Sequence, residues 1–183
     1  MLTPSTKLDA VNSLLTAVGE YPVSNLVDDI AEAQIAIQVI DEVSRELQSR
    51  GWSWNTRRKA KLIPDTNNNI FVPTNVTRVD ATDVNGWNDR NQRFTIRNSK
   101  LFNMVDFTAT FETEVYADLV YLWDFDDLPE EARRFITLDA QHRYMNRVVG
   151  ADADMAQVQA QASRAYVALK QDEGKNADRN VLW

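Results

Sequence analysis

Glu46-Leu47-Gln48-Ser49-Arg50-Gly51-Trp52-Ser53-Trp54-Asn55 is the stretch where the pattern of this 183-residue chain changes. Upstream of it, Ile30, Ala33, Ile37, Ile40, Ser44 and Leu47 recur three and four residues apart, as on one stripe of a helix. Downstream, Trp52 and Trp54 stand two apart, the spacing of one strand face. Gly51 sits between the two regimes and can take the left-handed backbone that ends a helix. The stretch therefore predicts a helix over 29–49 followed by a β-rich segment from residue 52.

Outward from this switch, the same two periods sort the rest of the chain. Leu8, Val11, Leu15 and Val18 predict a first helix over 6–18, stopped by Gly19 and Pro22. Asp28 and Asp29 sit at the start of the second helix, where carboxylates complement its dipole. Short strands are predicted at 70–72, 77–82, 93–96, 101–104 and 115–123. Asn67-Asn68-Asn69 and Asn85-Gly86 read as turns among them. Asp127-Leu128-Pro129-Glu130 reads as a capping box opening a third helix over 128–149. Its stripe is Phe135, Leu138, His142, Met145 and Val149, broken at Gly150. Met155, Val158, Ala162, Ala165 and Leu169 predict a fourth helix over 152–173, ended near Gly174. The fold class expected is α+β: a four-helix bundle with a β-rich insertion between the second and third helices. Residues 1–51 and 125–183 form the bundle domain of this scheme, and 52–124 the inserted region.

Composition excludes several functions. With 20 Lys and Arg against 27 Asp and Glu, the net charge is −7, the wrong sign for gripping nucleic-acid phosphates. There is no cysteine, so disulfides, thiol catalysis and cysteine-based zinc sites are ruled out. Met1 to Leu8 lacks the apolar core of a secretory leader, and no apolar run approaches the roughly 20 residues of a membrane helix. Five scattered glycines form no phosphate-binding loop.

What remains as candidate chemistry has a plainer reading beside it. Asp124, Asp126, Asp127, Glu130 and Glu131 could supply the paired carboxylates of a glycoside hydrolase, yet the start of a helix uses such residues without any substrate. His142 is the single histidine and falls on an apolar stripe, as an interior histidine does. No catalytic, cofactor or metal residues are expected. Arg133, Arg134, Arg143 and Arg147 line the third helix and could face an acidic partner or simply solvent. Arg57, Arg58, Lys59 and Lys61, next to Trp54, could bind nucleic acid, but read better as a charged strand edge that resists aggregation. The alanine-rich fourth helix is followed by a polar string, Lys175 onward, that ends in Leu182-Trp183. A terminal aromatic of this kind suits docking on a neighbour. The expected protein-interface residues are Arg133, Arg134, Arg147, Leu182 and Trp183.

Several segments carry a likeness to a known family. They are Ala10-Val11-Asn12-Ser13-Leu14-Leu15 with Gly19-Glu20-Tyr21-Pro22-Val23-Ser24, the quoted stretch 46–55, and Leu62-Ile63-Pro64-Asp65-Thr66. Asp124-Phe125-Asp126-Asp127-Leu128-Pro129-Glu130, Arg134-Phe135-Ile136 and Arg147-Val148-Val149-Gly150 complete the set. In this order and spacing the chain resembles the tail tubular protein A family of podoviruses. The likeness covers both helical segments; residues 76–113 and the end of the chain depart from it. The resemblance implies a structural, non-enzymatic head-to-tail adaptor in the virion, assembled in the bacterial host cytoplasm. Its partners by the same token are eleven further copies in a dodecameric ring, the portal, a nozzle of the tail tubular protein B type and a tail fibre. Double-stranded DNA would pass through the ring without specific binding, which suits an acidic chain; no membrane is involved. The alternative class is a tail-associated polysaccharide hydrolase or glycan-binding protein, which would need a cleft with two converging carboxylates.

Overall fold

The structure, a computed structural model, describes residues 5–27, 30–150 and 153–179. It is a mixed α+β protein. In chain order the elements are α1 (Lys7–Ala17), α2 (Ala31–Gln48), β1 (Thr56–Leu62), β2 (Val76–Thr82), β3 (Phe94–Arg97), β4 (Lys100–Asn103), β5 (Val115–Tyr121), α3 (Glu130–Val148) and α4 (Ala153–Arg179). The chain divides into two compact units, one drawn from residues 1–47 and 124–183, the other from 48–123.

In the helical unit, α1 begins on a capping box. Thr6 Oγ1 accepts from Asp9 N, and the Asp9 carboxylate accepts in return from Thr6 N. Donation from the Thr6 hydroxyl, and then from Thr6 N, holds the Asp9 carboxyl below its ordinary range. α3 packs on α1 and on α4. Its buried face is Ala132, Ile136, Ala140 and Tyr144, with Met145 beside it. That face lies one position on from the expected stripe: Phe135, Leu138 and His142 are half-buried, and Val149 is exposed. A helix squeezed between two neighbours places its smallest residues where backbones approach closest, and the larger ones spread to the flanks. Phe135, for example, meets the Tyr166 ring of α4 at 5.1 Å. On α2 the buried positions are Ala33, Ala36, Val39, Ile40, Val43, Ser44, Leu47 and Gln48, whereas Ile37 is only half-buried and Ile30 precedes the helix, exposed.

Two expected helix ends change. Asp127 is not the N-cap of α3. Residues Phe125–Asp127 form a 3-10 turn that buries Phe125 and Leu128, and Pro129 takes the cap position without a side-chain hydrogen bond. Burial of those two apolar residues decides the backbone there, and the Glu130 carboxylate is left for another use. α4 also continues through Gly174 to Arg179. A single interior glycine costs a helix only about 1 kcal/mol relative to alanine, and Gln171, Glu173, Lys175 and Ala177 around it are good helix formers.

The β unit holds an antiparallel sheet of order β1-β5-β2 and a β3-β4 hairpin. Its core is Ala60, Ile70, Val72, Val76, Val79, Ala81, Phe94, Leu101, Phe111, Ala117 and Leu119. Phe94 and Phe111 meet edge to face at 5.9 Å. Trp52 and Trp54 do not lie on a strand. They flank the start of a turn over 53–55 that precedes β1, and their rings stack at 6.2 Å. Both predicted turns form. Asp65 Oδ1 accepts from Asn67 N and Asn69 N, and Asp83 Oδ1 from Asn85 N and Trp87 N. Backbone N–H donation keeps both aspartates below their ordinary range.

The β3-β4 turn was not marked by any glycine. Asn98 and Ser99 both have positive φ, 51° and 58°, as the two central residues of a tight hairpin turn require. A serine pays for that conformation and a glycine does not. Ser99→Gly should therefore raise the unfolding free energy by about 0.5–1 kcal/mol, the left-handed cost less glycine's extra chain entropy. Urea denaturation checks it; a destabilised Ser99→Gly would show that the serine side chain matters more than its backbone.

The ends of the β unit are tied by buried amides. Gln48 Nε2 donates to Trp123 O at 3.0 Å while Gln48 Oε1 accepts from Trp123 N at 2.8 Å. Asn55 Nδ2 donates to both Gln48 O and Tyr121 O at 2.8 Å, and Asn55 Oδ1 accepts from Trp52 N at 2.7 Å. Gly51 lies inside this knot with φ 78°, and a Cβ there would stand 2.7 Å from Arg78 Nη2. The Arg78 guanidinium needs that space, since its Nη1 donates to Ser49 O and Arg50 O.

Candidate assembly surfaces

The acidic residues expected at 124–131 fall into two groups. Asp126 Oδ1 accepts from Lys7 N at 2.7 Å, and Glu130 accepts from Ser5 N at 3.2 Å and Ser5 Oγ at 2.8 Å. These two carboxylates hold the lead-in to α1. Asp124, Asp127 and Glu131 are exposed. A cavity of about 290 Å³ lies elsewhere, between β2 and β3, and Asp80 is the one carboxylate on its wall. Asp80 is paired with Arg78 at 2.8 Å. Among the described residues no group of three or more His, Asp or Glu is placed to hold a metal ion, and no helix is long and apolar enough to cross a membrane.

The arginines of α3 have separate roles. Arg133 is engaged within its own unit: Nε donates to Leu128 O at 2.7 Å, Nη1 donates to Ser5 O at 2.6 Å, and Glu130 is 3.8 Å away. With its side chain 12% exposed it acts as a clamp on the N-terminal lead-in rather than as an outward contact. Arg143 grips Glu46 of α2 through both terminal nitrogens, at 2.8 and 2.7 Å, and Asp139 through Nε at 2.9 Å. The carboxylates hold its charge more firmly than that of a free arginine. Arg147 pairs more loosely with Glu42, at 3.6 Å, and is half exposed. Arg134 is exposed. Tyr144 is buried and its hydroxyl donates to Glu32 O at 3.2 Å; burial pushes its pKa up. Leu182 and Trp183 lie outside the described residues.

The basic run at 57–61 occupies β1, an edge of its sheet, as expected of a charged edge. A bulge between Arg57 and Ala60 puts Lys59 at φ 52°, its N–H donated to Asp118 Oδ1 at 2.7 Å. Lys61 pairs with Glu114 at 2.8 Å. The bulge breaks the regular register of β1 on β5, and the Asp118 carboxylate accepts the Lys59 N–H that leaves the ladder.

Sequence reasoning passed over another surface, in the unit built from 48–123. The loop after β4 is closed by reciprocal hydrogen bonds between Asn103 and Thr108, at 2.8 and 3.2 Å. Buried Asn103 fills it, Oδ1 accepting from Val105 N and Nδ2 donating to Asp106 Oδ2. The loop holds Met104, Val105 and Phe107 out into solvent, with Phe107 at φ 54° and 70% exposed. The Arg97 guanidinium lies over Phe102 at 4.1 Å and near Phe107 at 5.5 Å. Lys100 Nζ stands 5.2 Å from the ring of Phe71, itself 61% exposed. The signal for this site was in the sequence: from Arg90 to Val105 there are four cations and no carboxylate. It was masked by strand periodicity, which scores Phe102 and Met104 as core.

Comparison with known proteins gives two matches. A family model described as tail tubular protein matches residues 8–179. The chain is also 26% identical over 159 residues to tail tubular protein A of Klebsiella phage KP34, across 86% of this chain and 81% of that protein.

Proposed function

The chain belongs to the tail tubular protein family of phage tail structural proteins, and on that premise we propose that it is the head-to-tail adaptor of a short-tailed phage. In this reading, twelve copies form a ring that binds the portal on one side and the tubular nozzle on the other, helps to attach tail fibres, and lets double-stranded DNA pass. Subunits assemble in the host cytoplasm before they join the virion. The four helices are taken as one bundle, with the β unit as an insertion between its halves. Arg134 and Arg147, and the tip Leu182-Trp183, are proposed contacts with neighbouring proteins. Arg133 contributes by holding the α1 lead-in.

The observation that carries this reading is the span of the family match, which runs through every element from α1 to α4. The net charge of −7 supports the passage of DNA without retention. The test is electron microscopy of the purified chain mixed with the portal protein of its phage. A closed ring seated on the portal is expected, and portal particles that stay bare at excess subunit would overturn the proposal. The adaptor is proposed to be purely structural. Cleavage of host polysaccharide by the pure protein, lost in Glu130→Gln with the fold intact, would overturn that part separately.

A further inference from the structure

Charge is unevenly spread along this chain. Between Lys7 and Arg45 there are seven carboxylates and no Lys or Arg, two of them (Asp41 and Glu42) paired with Lys7 and Arg147. Arg90 to Val105, in contrast, holds four cations and no carboxylate, the next one being Asp106, which is bonded to Asn103. Each stretch also exposes apolar side chains. The acidic one shows Tyr21 and Val27, each 90% exposed, then Ile30 and Ile35 at the entry and first turns of α2, with Glu32 exposed between them. The cationic one is the Phe71, Val105 and Phe107 surface carrying Arg97 and Lys100. Single exposed apolar residues need no explanation, but a rigid loop that points three of them outward around a stacked guanidinium does. The strained φ of Phe107 shows that the loop enforces this display, because a phenylalanine rarely adopts it unaided.

Two complementary surfaces on one chain can meet head to tail between copies, and such contacts generate rings when the rotation closes. We propose that the Arg97–Phe107 knob of one subunit docks on Val27, Ile30 and Ile35 beside the start of α2 in the next, with Arg97 facing Glu32. This inference rests on the ring reading above and names one of the ring's lateral contacts. Phe107 and Phe71 supply the desolvated centre, and the opposite charges orient the approach and select the register. The occupant is a second copy because the charge and apolar complement of the knob is present on the chain itself.

The absence of native cysteine makes the test direct. Val105→Cys and Ile35→Cys are both surface changes. In portal-bound assemblies under mild oxidation, the double variant should give a ladder of covalent multimers, and each single variant should give none. Phe107→Ser should weaken self-association about thirtyfold, the loss typical of an interface anchor. Arg97→Glu and Glu32→Arg should each weaken it, and their combination should recover most of the loss. Rings that form normally from Phe107→Ser, with no ladder from the double cysteine variant, would overturn this contact and leave the adaptor reading standing. A chain that makes no ring with or without the portal would remove both. Capture of the knob by the nozzle protein alone, with the ladder absent, would count against the second-copy assignment.

Discussion

Asn55→Leu is expected to destabilise the β unit by about 3–5 kcal/mol, enough to unfold a domain of ordinary stability at elevated temperature. Asn55 is 2% exposed and makes three side-chain hydrogen bonds, to Trp52 N, Gln48 O and Tyr121 O. Leucine nearly matches its volume but leaves all three groups without that partner. Removing a hydrogen-bond partner from a buried group costs about 1–3 kcal/mol, and Gln48 O, which keeps its bond from Gly51 N, suffers only part of that loss. Tyr121 N, which donates to Asn55 O, keeps its bond because that acceptor is backbone. Guanidinium denaturation followed by tryptophan fluorescence measures the loss, since Trp52, Trp54 and Trp123 all sit beside this network. Asn55→Asp supplies a second reading. Its carboxylate would face two carbonyl oxygens, which raises its pKa in the folded state above the ordinary value of about 4. A group with a raised folded pKa contributes stability at low pH and loses it as pH rises through that value. Asn55→Asp should therefore fall short of the parent less at pH 4 than at pH 7. If Asn55→Leu unfolds at the parent's midpoint, the amide knot is dispensable.

Ile40→Asp is expected to prevent folding of the helical unit, and Ile37→Asp to be tolerated. Both lie on the hydrophobic repeat of α2, but Ile40 is fully buried while Ile37 sits at the margin with Gln34, Gln38 and Asp41 around it. A carboxylate at 40 has no cation among its buried neighbours and would cost several kcal/mol against a total stability of about 5–15. At 37 the side chain can turn to water, and a loss of about 1 kcal/mol is expected from the apolar area given up. Soluble yield and thermal melting distinguish the two. Equal losses would mean that the buried face of α2 is wider than Ala33, Ala36, Ile40 and Val43 define.

The carboxylates at the start of α3 show how a local motif can be read correctly for composition and wrongly for geometry. Asp127 and Glu130 have the spacing of a capping box. The backbone instead follows the burial of Phe125 and Leu128, and Glu130 bonds to Ser5, 125 positions away. No local rule could have joined Ser5 to Glu130, or Arg133 to both the Ser5 and Leu128 carbonyls. The knob around Phe107 was hidden for a related reason: alternation places Phe102 and Met104 in a strand, and only the closed loop set by Asn103 turns their neighbours outward.

By itself the sequence determined the coarse order of helices, β-rich segment and helices, because the change of period at Gly51 and the return of three-four spacing after Asp127 are local properties of the chain. It did not delimit β1, and it expected at 70–72 a strand that does not form. It determined the turns at Asp65 and Asp83, where a side chain bonds its own neighbours. It carried the family, through motifs spread from Ala10 to Gly150. Tertiary structure alone decided which side of each helix is buried. A periodic stripe marks the largest apolar residues, but packing between two neighbouring helices puts Ala132 and Ala140 at the centre of α3 and moves Phe135 and His142 to its flank. It also decided that Gln48 and Asn55 are structural, since the carbonyls of Tyr121 and Trp123 that give their amides a purpose come from 66 to 75 residues further along the chain.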